Sequence, residues 1–397
     1  MYTKAFIPYS GYYSSPFVRW QGSIQNENSI ELGAATAKRW LASKNLDAAI
    51  FDYLFVGKTI GQVHSFYTAP WAAALLGAEL TPGLHVPQAC STSTTCIGLA
   101  AAGLEAGNFN NAFCLMTDRL SNGPHSVWAN PNGPGGEVSS QNLVMESFAF
   151  DPHGKAAMIQ TAENVVKKAG NITREECDEV TYRRYEQYLD ALANDREFQK
   201  KYMFPIEYKK GKKEIGMVEA DEGVMPTTRE VLAKLKPVIE GGVLTFGSQT
   251  HPADGNCGII VTTGERAREL SSDKNIQIQV VSYGFARAEK AHMAMAVVPA
   301  AMMALDKAGL GVSDVKQFKT HNPFVANDVH MAKVMGIDVM GFNNYGSSLI
   351  YGHPQGPTAG RGIIELIEEL VILGGGYGLF TGCAAGDTGA ALVIKVS

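Results

Sequence analysis

Apolar positions along the chain change their spacing several times, and each change marks an element. Residues 30–45, IELGAATAKRWLASKN, carry apolar side chains at three- and four-residue intervals, which predicts an amphipathic helix. AAIFDYLFVGKTI (48–60) contains apolar runs and predicts a strand, and FYTAPWAAALLGA (66–78) predicts a second helix. LHVPQAC (84–90) then reads as a strand, STTCIGLAAAGLEAG (93–107) as a helix closed by Gly107, and NAFCLMTD (111–118) as another strand. Strand, helix, strand is the crossover a parallel pair needs, so the expected class is α/β, with helices covering the faces of a sheet.

The texture changes at SNGPHSVWANPNGPGGEVSS (121–140), where Gly, Pro and Asn predict loop. Helical spacing returns in KAAMIQTAENVVKKAG (155–170) and TREECDEVTYRRYEQYLDALAND (173–195), followed by the basic stretch YKKGKKEIG (208–216). Residues 119–245 therefore look like an inserted lobe. YKKGKK is either a solvated turn or a phosphate contact. After VLTFGSQTHPADGNCGIIVTT (243–263) the alternation resumes through a strand at IQIQVVSYGFA, a helix at AMAVVPAAMMALDKAG, and FKTHNPFVANDVHMAKVMG. The last segment, 363–396, predicts a helix and two strands joined by a glycine-rich turn, echoing the order around residue 90. That echo suggests two similar α/β halves, 1–118 with 246–265 and 266–397, rather than a short-period repeat.

Composition narrows the classes. A chain of 397 residues with 45% hydrophobic and 18% charged residues can bury more than one core and has no disordered bulk. A net charge of −5 carries no global footprint for nucleic acid. The N-terminal residues lack a continuous apolar targeting segment, and no run of about 18 apolar residues suggests a membrane span. The six cysteines are scattered, without CxxC pairs, and no HExxH occurs, so no metal site and no disulfide framework are expected. Free thiols fit a cytoplasmic protein.

Cys90 stands where a strand turns into a helix. Free N–H groups and the helix dipole at such a corner lower a thiol's pKa and make a nucleophile, although a buried inert thiol is an equal reading of this stretch alone. Three further stretches bear chemistry: KTHNPFVAND (319–328), YGHPQGPTAGR (351–361) and TGCAAGDTGAA (381–391). A cysteine nucleophile, a histidine base and a second cysteine as proton carrier are the set that acyl transfer at a carbon–carbon bond requires.

In this order the four stretches resemble the thiolase superfamily, with its nucleophilic Cys, its NEAF or HDxF motif, its GHPxG motif and its C-terminal CxG motif. The resemblance extends through MIQTAENVVKK, EADEGVMPTTREVLAKLKPV and FGSQTHPADGNCGIIV, and so covers nearly the whole chain. It implies two mixed-sheet halves packed as a five-layered α-β-α-β-α core with an inserted loop domain. It also implies that Cys90 becomes acylated, that His353 activates it, and that Cys383 moves the proton on the α-carbon. His321 would hold the thioester oxygen of the enolate, with Asn322 in support, while the backbone N–H groups of Cys90 and Ala385 form a second oxyanion hole. Met158, Thr250, Phe324 and Tyr351 would line the acyl or pantetheine channel. Coenzyme A is the implied co-substrate, with no bound cofactor.

The chain departs from the pattern in three places. CxG is here Cys383–Ala384–Ala385. Where small or aliphatic residues are usual before GHP, this chain has Tyr345, Ser347, Ser348 and Tyr351, which suggests a remodelled pocket. HNPF replaces the more usual Asn-type motif and resembles a His-type branch that includes benzoylsuccinyl-CoA thiolase. Members of that branch often work with a small zinc-ribbon and OB-fold companion subunit, and thiolases are generally homo-oligomers, dimers or tetramers. The expected function is CoA-dependent cleavage of a 3-oxoacyl-CoA, or the reverse condensation. The competing readings are a condensing enzyme of the ketoacyl synthase or HMG-CoA synthase type and a non-catalytic acyl-CoA-binding subunit.

Overall fold

A computed structural model describes residues 1–130, 132–211 and 214–397; Pro131, and Lys212 and Lys213 of the YKKGKK stretch, lie outside the described residues. Runs of mostly apolar residues, buried along nearly their whole length, form the central strands of one large mixed sheet. Its order is Val315–His321, Gly376–Ala384, Thr388–Val396, Ile278–Arg287, Phe6–Ile7, Ala253–Thr262, Asn111–Arg119, Tyr53–Gly57 and Gly83–Val86. Tyr53–Gly57 is parallel to both its neighbours, and Val315–His321 is parallel to Gly376–Ala384, so each half contributes a parallel part and an antiparallel part.

The short strand Phe6–Ile7 joins the halves. Phe6 faces Thr262 on one side and Gln279 on the other, so the backbone hydrogen bonding runs on from one half to the next.

Helices Thr92–Ala106 and Thr358–Ile372 lie side by side between the halves and touch strands of both. Ser29–Ser43 and Thr68–Leu76 cover the outer face of the first half, and Val297–Ala308, with Val325–Met335 beside it, covers that of the second. The layers alternate helix, strand, helix, strand, helix, the arrangement the resemblance implies. A central helix has no wet face, and Thr358–Leu370 is buried throughout, acidic residues included. Those charges survive because they are paired: Arg361 reaches Asp221 at 2.6 Å and Glu365 at 2.9 Å, Lys319 reaches Glu365 at 2.9 Å, and Tyr12 donates to Glu368 at 2.6 Å.

Two expectations for the inserted segment change. Within 121–140, predicted as loop, His125–Ala129 and Val138–Asn142 pair as an antiparallel ribbon with Trp128 opposite Ser139. The turn residues are concentrated between Asn130 and Glu137; the flanking Ser-Val-Trp and Val-Ser-Ser stretches favour strand and pair with each other to satisfy backbone groups. The helix expected over 173–195 continues as Arg174–Lys200, broken at Ala193–Arg196, where Asn194, Asp195 and Arg196 take positive φ. No helix among the described residues is long and apolar enough to cross a membrane.

Candidate active site

The strand Gly83–Val86 ends before a single tight turn, Ala89–Ser91, and the helix Thr92–Ala106 begins at once. Ala89 sits at φ +46°, an uncommon conformation for a residue with a side chain. Thr92 laces the corner, accepting from Gln88 N–H at 2.9 Å and donating to the carbonyl of Ala89 at 2.7 Å. The result is a sharp bend that presents Cys90, partly exposed, at the floor of a cavity.

His353 approaches from a separate loop. Its Nε2 lies 3.0 Å from Cys90 Sγ, and its Nδ1 lies 2.7 Å from Thr358 Oγ1. Gly356 N–H donates to Asp118 at 2.9 Å, and Ser93 Oγ donates to the carbonyl of Gly356, so the loop is tied to the first half of the molecule from two directions. Gly352 stands at φ +97°, and a Cβ there would lie 2.8 Å from the ring of His251, so a larger residue is excluded twice over.

His321 ends the strand Val315–His321, and its ring centroid is 4.1 Å from that of His353. Its Nδ1 is 2.8 Å from Ser348 Oγ, while its Nε2 is buried without a partner among the described residues. Cys383 is wholly buried at the end of Gly376–Ala384, where its sulfur accepts from Asn327 Nδ2 at 3.1 Å. Donor atoms of Cys90, His321 and His353 all lie within 4.8 Å of one another, a spacing that a soft or borderline ion would also accept.

The electrostatics correct one expectation. The Cys90 thiol is pushed up to about 12, because burial outweighs the pull of the backbone N–H groups of Ala385 and of Cys90 itself. Helix-terminus stabilisation alone therefore does not make it an acidic thiol. Burial also holds His321 down to about 3 and His353 well below its ordinary value, the latter with help from His321 and His251. Burial raises Cys383 as well, with Cys90 adding to the effect. The resting site is a neutral thiol beside neutral imidazoles, so a thiolate arises by proton transfer to His353 as the substrate reacts.

The cavity above Cys90 encloses about 390 Å³. Its walls are mostly apolar, with Phe148, Met158, Ile159, Phe246, Met293 and Phe324 prominent, and Ser147, Gln249, Thr250 and Gln355 join Cys90 and His353 as its polar side chains. No Lys, Arg, Asp or Glu lines it among the described residues.

Residues 11–265 match the family model "Thiolase, N-terminal domain", and residues 274–396 match "Thiolase, C-terminal domain". The chain belongs to the thiolase family. This thiolase is 26% identical over 378 residues to an acetyl-CoA acetyltransferase of Pseudomonas aeruginosa, covering 94% of this chain and 95% of the relative. Its fold superposes on human mitochondrial 3-ketoacyl-CoA thiolase in complex with CoA, with TM-score 0.89, 25% identity, and 99% and 98% of the two chains covered. The Bacillus anthracis acetyl-CoA acetyltransferase superposes with TM-score 0.91 at 25% identity, covering 100% of this chain and 99% of that one. Family membership makes the protein an acyltransferase.

The fold of this thiolase gathers Cys90, His321 and His353 at one point, with Ala385 N–H against the Cys90 sulfur. Met158, Thr250, Phe324 and Ala385 line the cavity. Tyr351 does not. Its hydroxyl donates to Glu365 at 3.2 Å and its ring lies 3.7 Å from the Arg361 guanidinium, so it is spent on the buried charge cluster. Asn322 is likewise consumed: its amide donates to Asp328 and Ser347, and its carbonyl accepts from Leu349 N–H. It supports the site and has no donor left for an oxyanion. Tyr345 stacks on Phe198 at 3.7 Å, and Ser347 and Ser348 hold Asn322 and His321; the substitutions before GHP thus rebuild the support behind the site instead of its wall. Sequence reasoning missed Asn327, Thr358 and Gln355. Thr358, five residues after His353 at the start of a helix, was the most accessible of these; the contact from Asn327 to Cys383 spans 56 residues and left no local signal.

Proposed function

We propose that the protein cleaves a 3-oxoacyl-CoA with coenzyme A, or runs the reverse condensation, through an acyl-Cys90 intermediate. The observation that carries this reading is the 3.0 Å contact between Cys90 and His353 on the floor of an apolar cavity, with Cys383 buried behind it. His353 takes the Cys90 proton as sulfur attacks the C3 carbonyl. The C2–C3 bond breaks, its electron pair passes to C2 and the thioester oxygen, and Cys383 protonates C2. Coenzyme A then gives its thiol proton to the Cys383 thiolate and attacks the acyl group, and His353 returns its proton to Cys90. The N–H groups of Cys90 and Ala385 face the acyl oxygen, and His321 faces the enolate oxygen. Cys383 distinguishes this scheme from that of the decarboxylating or HMG-CoA-forming condensing enzymes.

The acyl group we favour is bulky and apolar, with an aromatic ring as the best match to walls of Phe and Met. Benzoylsuccinyl-CoA is one such substrate, although its carboxylate would meet no cationic residue in the cavity among the described residues. A homo-oligomer and a small companion subunit of the zinc-ribbon and OB-fold kind belong to the same proposal, as does a cytoplasmic site of action. The deciding experiment is mass spectrometry of Cys90 after brief exposure to acetyl-, succinyl- and benzoyl-CoA, with Cys90→Ser as control. An adduct on Cys90 that favours benzoyl is expected. No adduct with any thioester, alone or with companion proteins, would move the assignment to a non-catalytic acyl-CoA-binding subunit.

A further inference from the structure

Two of the chain's departures from the thiolase pattern touch each other. His321 stands where most thiolases have Asn, and Ser348 stands where a small or aliphatic residue is usual; Ser348 Oγ lies 2.8 Å from His321 Nδ1. We infer that Ser348 is a positioning residue that selects the tautomer of His321, holding the proton on Nε2 and so creating the donor that receives the enolate oxygen.

The argument is a count of protons. Ser348 Oγ has three polar neighbours: His321 Nδ1 at 2.8 Å, Asn322 Oδ1 at 3.1 Å and Asn322 N–H at 3.3 Å. The backbone N–H donates, so it makes no claim on the hydroxyl proton. The Asn322 amide cannot be turned over, because its nitrogen faces the Asp328 carboxylate at 2.7 Å, which is held in turn by Arg184 at 2.9 Å, and its oxygen faces Leu349 N–H at 3.1 Å. The hydroxyl proton can go to Asn322 Oδ1 at 3.1 Å or to His321 Nδ1 at 2.8 Å, and since an amide oxygen accepts twice, Leu349 N–H does not close Oδ1 to it. Distance separates the two: 3.1 Å lies beyond the usual span of an O–H···O bond, whereas 2.8 Å to the imidazole nitrogen is well formed, which favours donation from Ser348 to Nδ1.

A neutral imidazole that accepts at Nδ1 carries its proton at Nε2. That nitrogen is buried and has no partner among the described residues, and the His321 ring itself packs 4.1 Å, centroid to centroid, from that of His353, the base that contacts the nucleophile. Burial keeps the ring neutral, so without Ser348 nothing would force the proton to the side where the substrate sits. An Asn at position 321 would need no such selection, since its amide always offers N–H. The serine is the complement that a histidine at this position requires.

The test has a structural arm and a kinetic arm, and only the second rests on the thiolase reading. In the full chain labelled with ¹⁵N-histidine, the ring nitrogens of His321, assigned through the His321→Asn variant, should show a single Nε2–H tautomer with a hydrogen-bonded Nδ1. In Ser348→Ala the hydrogen-bonded Nδ1 signature should vanish, and in Ser348→Thr it should persist. With 3-oxoacyl-CoA substrates, Ser348→Ala should lower kcat by about 10- to 100-fold, up to what loss of one oxyanion donor costs, with KM moved less than about threefold. Ser348→Thr should recover most of that loss. Transfer of a simple acyl group from acyl-CoA to Cys90, which forms no enolate, should fall far less than cleavage does in Ser348→Ala. An Nδ1–H tautomer in the parent overturns the inference, as does a Ser348→Ala enzyme that cleaves at the parental rate. If the parent cleaves no 3-oxoacyl-CoA, the function proposed above fails while the tautomer is still decided by the spectra.

Discussion

At the scale of residues, the chemistry is set by what burial does to ionisable groups. Cys90 and His353 meet as a neutral pair because the charged pair would have to be desolvated, and two backbone N–H groups do not outweigh that cost. The sign of the shifts makes a prediction. Raised thiol and lowered imidazole together keep Cys90 protonated through neutral pH, so its alkylation by iodoacetamide should climb steadily, by about tenfold per unit, between pH 7 and 9. A rate already level by pH 6 would mean that a thiolate–imidazolium pair exists at rest. Cys383 is held in a similar state, with an amide contact from Asn327 to its sulfur. A group that must give a proton to carbon is well served by staying protonated until its turn.

At the scale of elements, the site depends on loops being held at fixed distances by buried acceptors. Asp118 is the main tie: it accepts from Thr59 N–H and Oγ1, Ile60 N–H and Gly356 N–H, joining the end of a first-half strand to the loop that carries His353. Gly356 has no room to grow, since a Cβ would lie 2.6 Å from the Asp118 carboxylate. Burial raises the Asp118 pKa to about 6 against those hydrogen bonds. The folded state therefore binds its proton more tightly than the unfolded chain does. This group's contribution to stability is fully present below the unfolded value near 4 and is lost as pH rises through about 6. Compared with Asp118→Asn by thermal melts, the parent's Tm should fall relative to the variant's between pH 4 and 7. A constant difference across that range would contradict the assignment. The buried pair Arg184–Asp328 plays the matching role in the second half, linking the helix Arg174–Lys200 to the helix that bears Asn327. Breaking it with Arg184→Met should cost about 3 to 5 kcal/mol, because Asp328 would be left charged and buried, and urea denaturation measures that loss.

At the scale of the whole molecule, the sheet ends at Gly83–Val86, a strand with no neighbour on its outer side among the described residues; its own Leu84 is exposed, as are Phe66 and Tyr67 just before the helix Thr68–Leu76 that packs on this strand. An open edge with apolar residues around it is a place for a second copy of the chain. Sedimentation should find an oligomer at micromolar concentration, and Leu84→Lys should shift it towards monomer; a monomeric parent would remove this part of the proposal. The strand that carries this edge leads directly into the Cys90 turn, so the proposed assembly and the nucleophile's support would share one element. What the sequence alone determined is what local pattern can encode. The succession of helices and strands was legible because apolar spacing fixes which face each element buries, and the motifs around Cys90, His321, His353 and Cys383 were legible because their chemistry is written in a few adjacent residues. The 121–140 ribbon was hidden because its turn residues mask two short strands that only their mutual pairing reveals. The partners were hidden for a similar reason. Tyr351 reads like a pocket residue until Arg361 and Glu365 claim it, and Ser348 reads like a pocket residue until it is seen against His321. Only the tertiary structure decided these, since a pKa, a tautomer or the use of a hydroxyl depends on which groups surround it in space, and Cys90 and His353, 263 residues apart, become neighbours only when two halves close on each other.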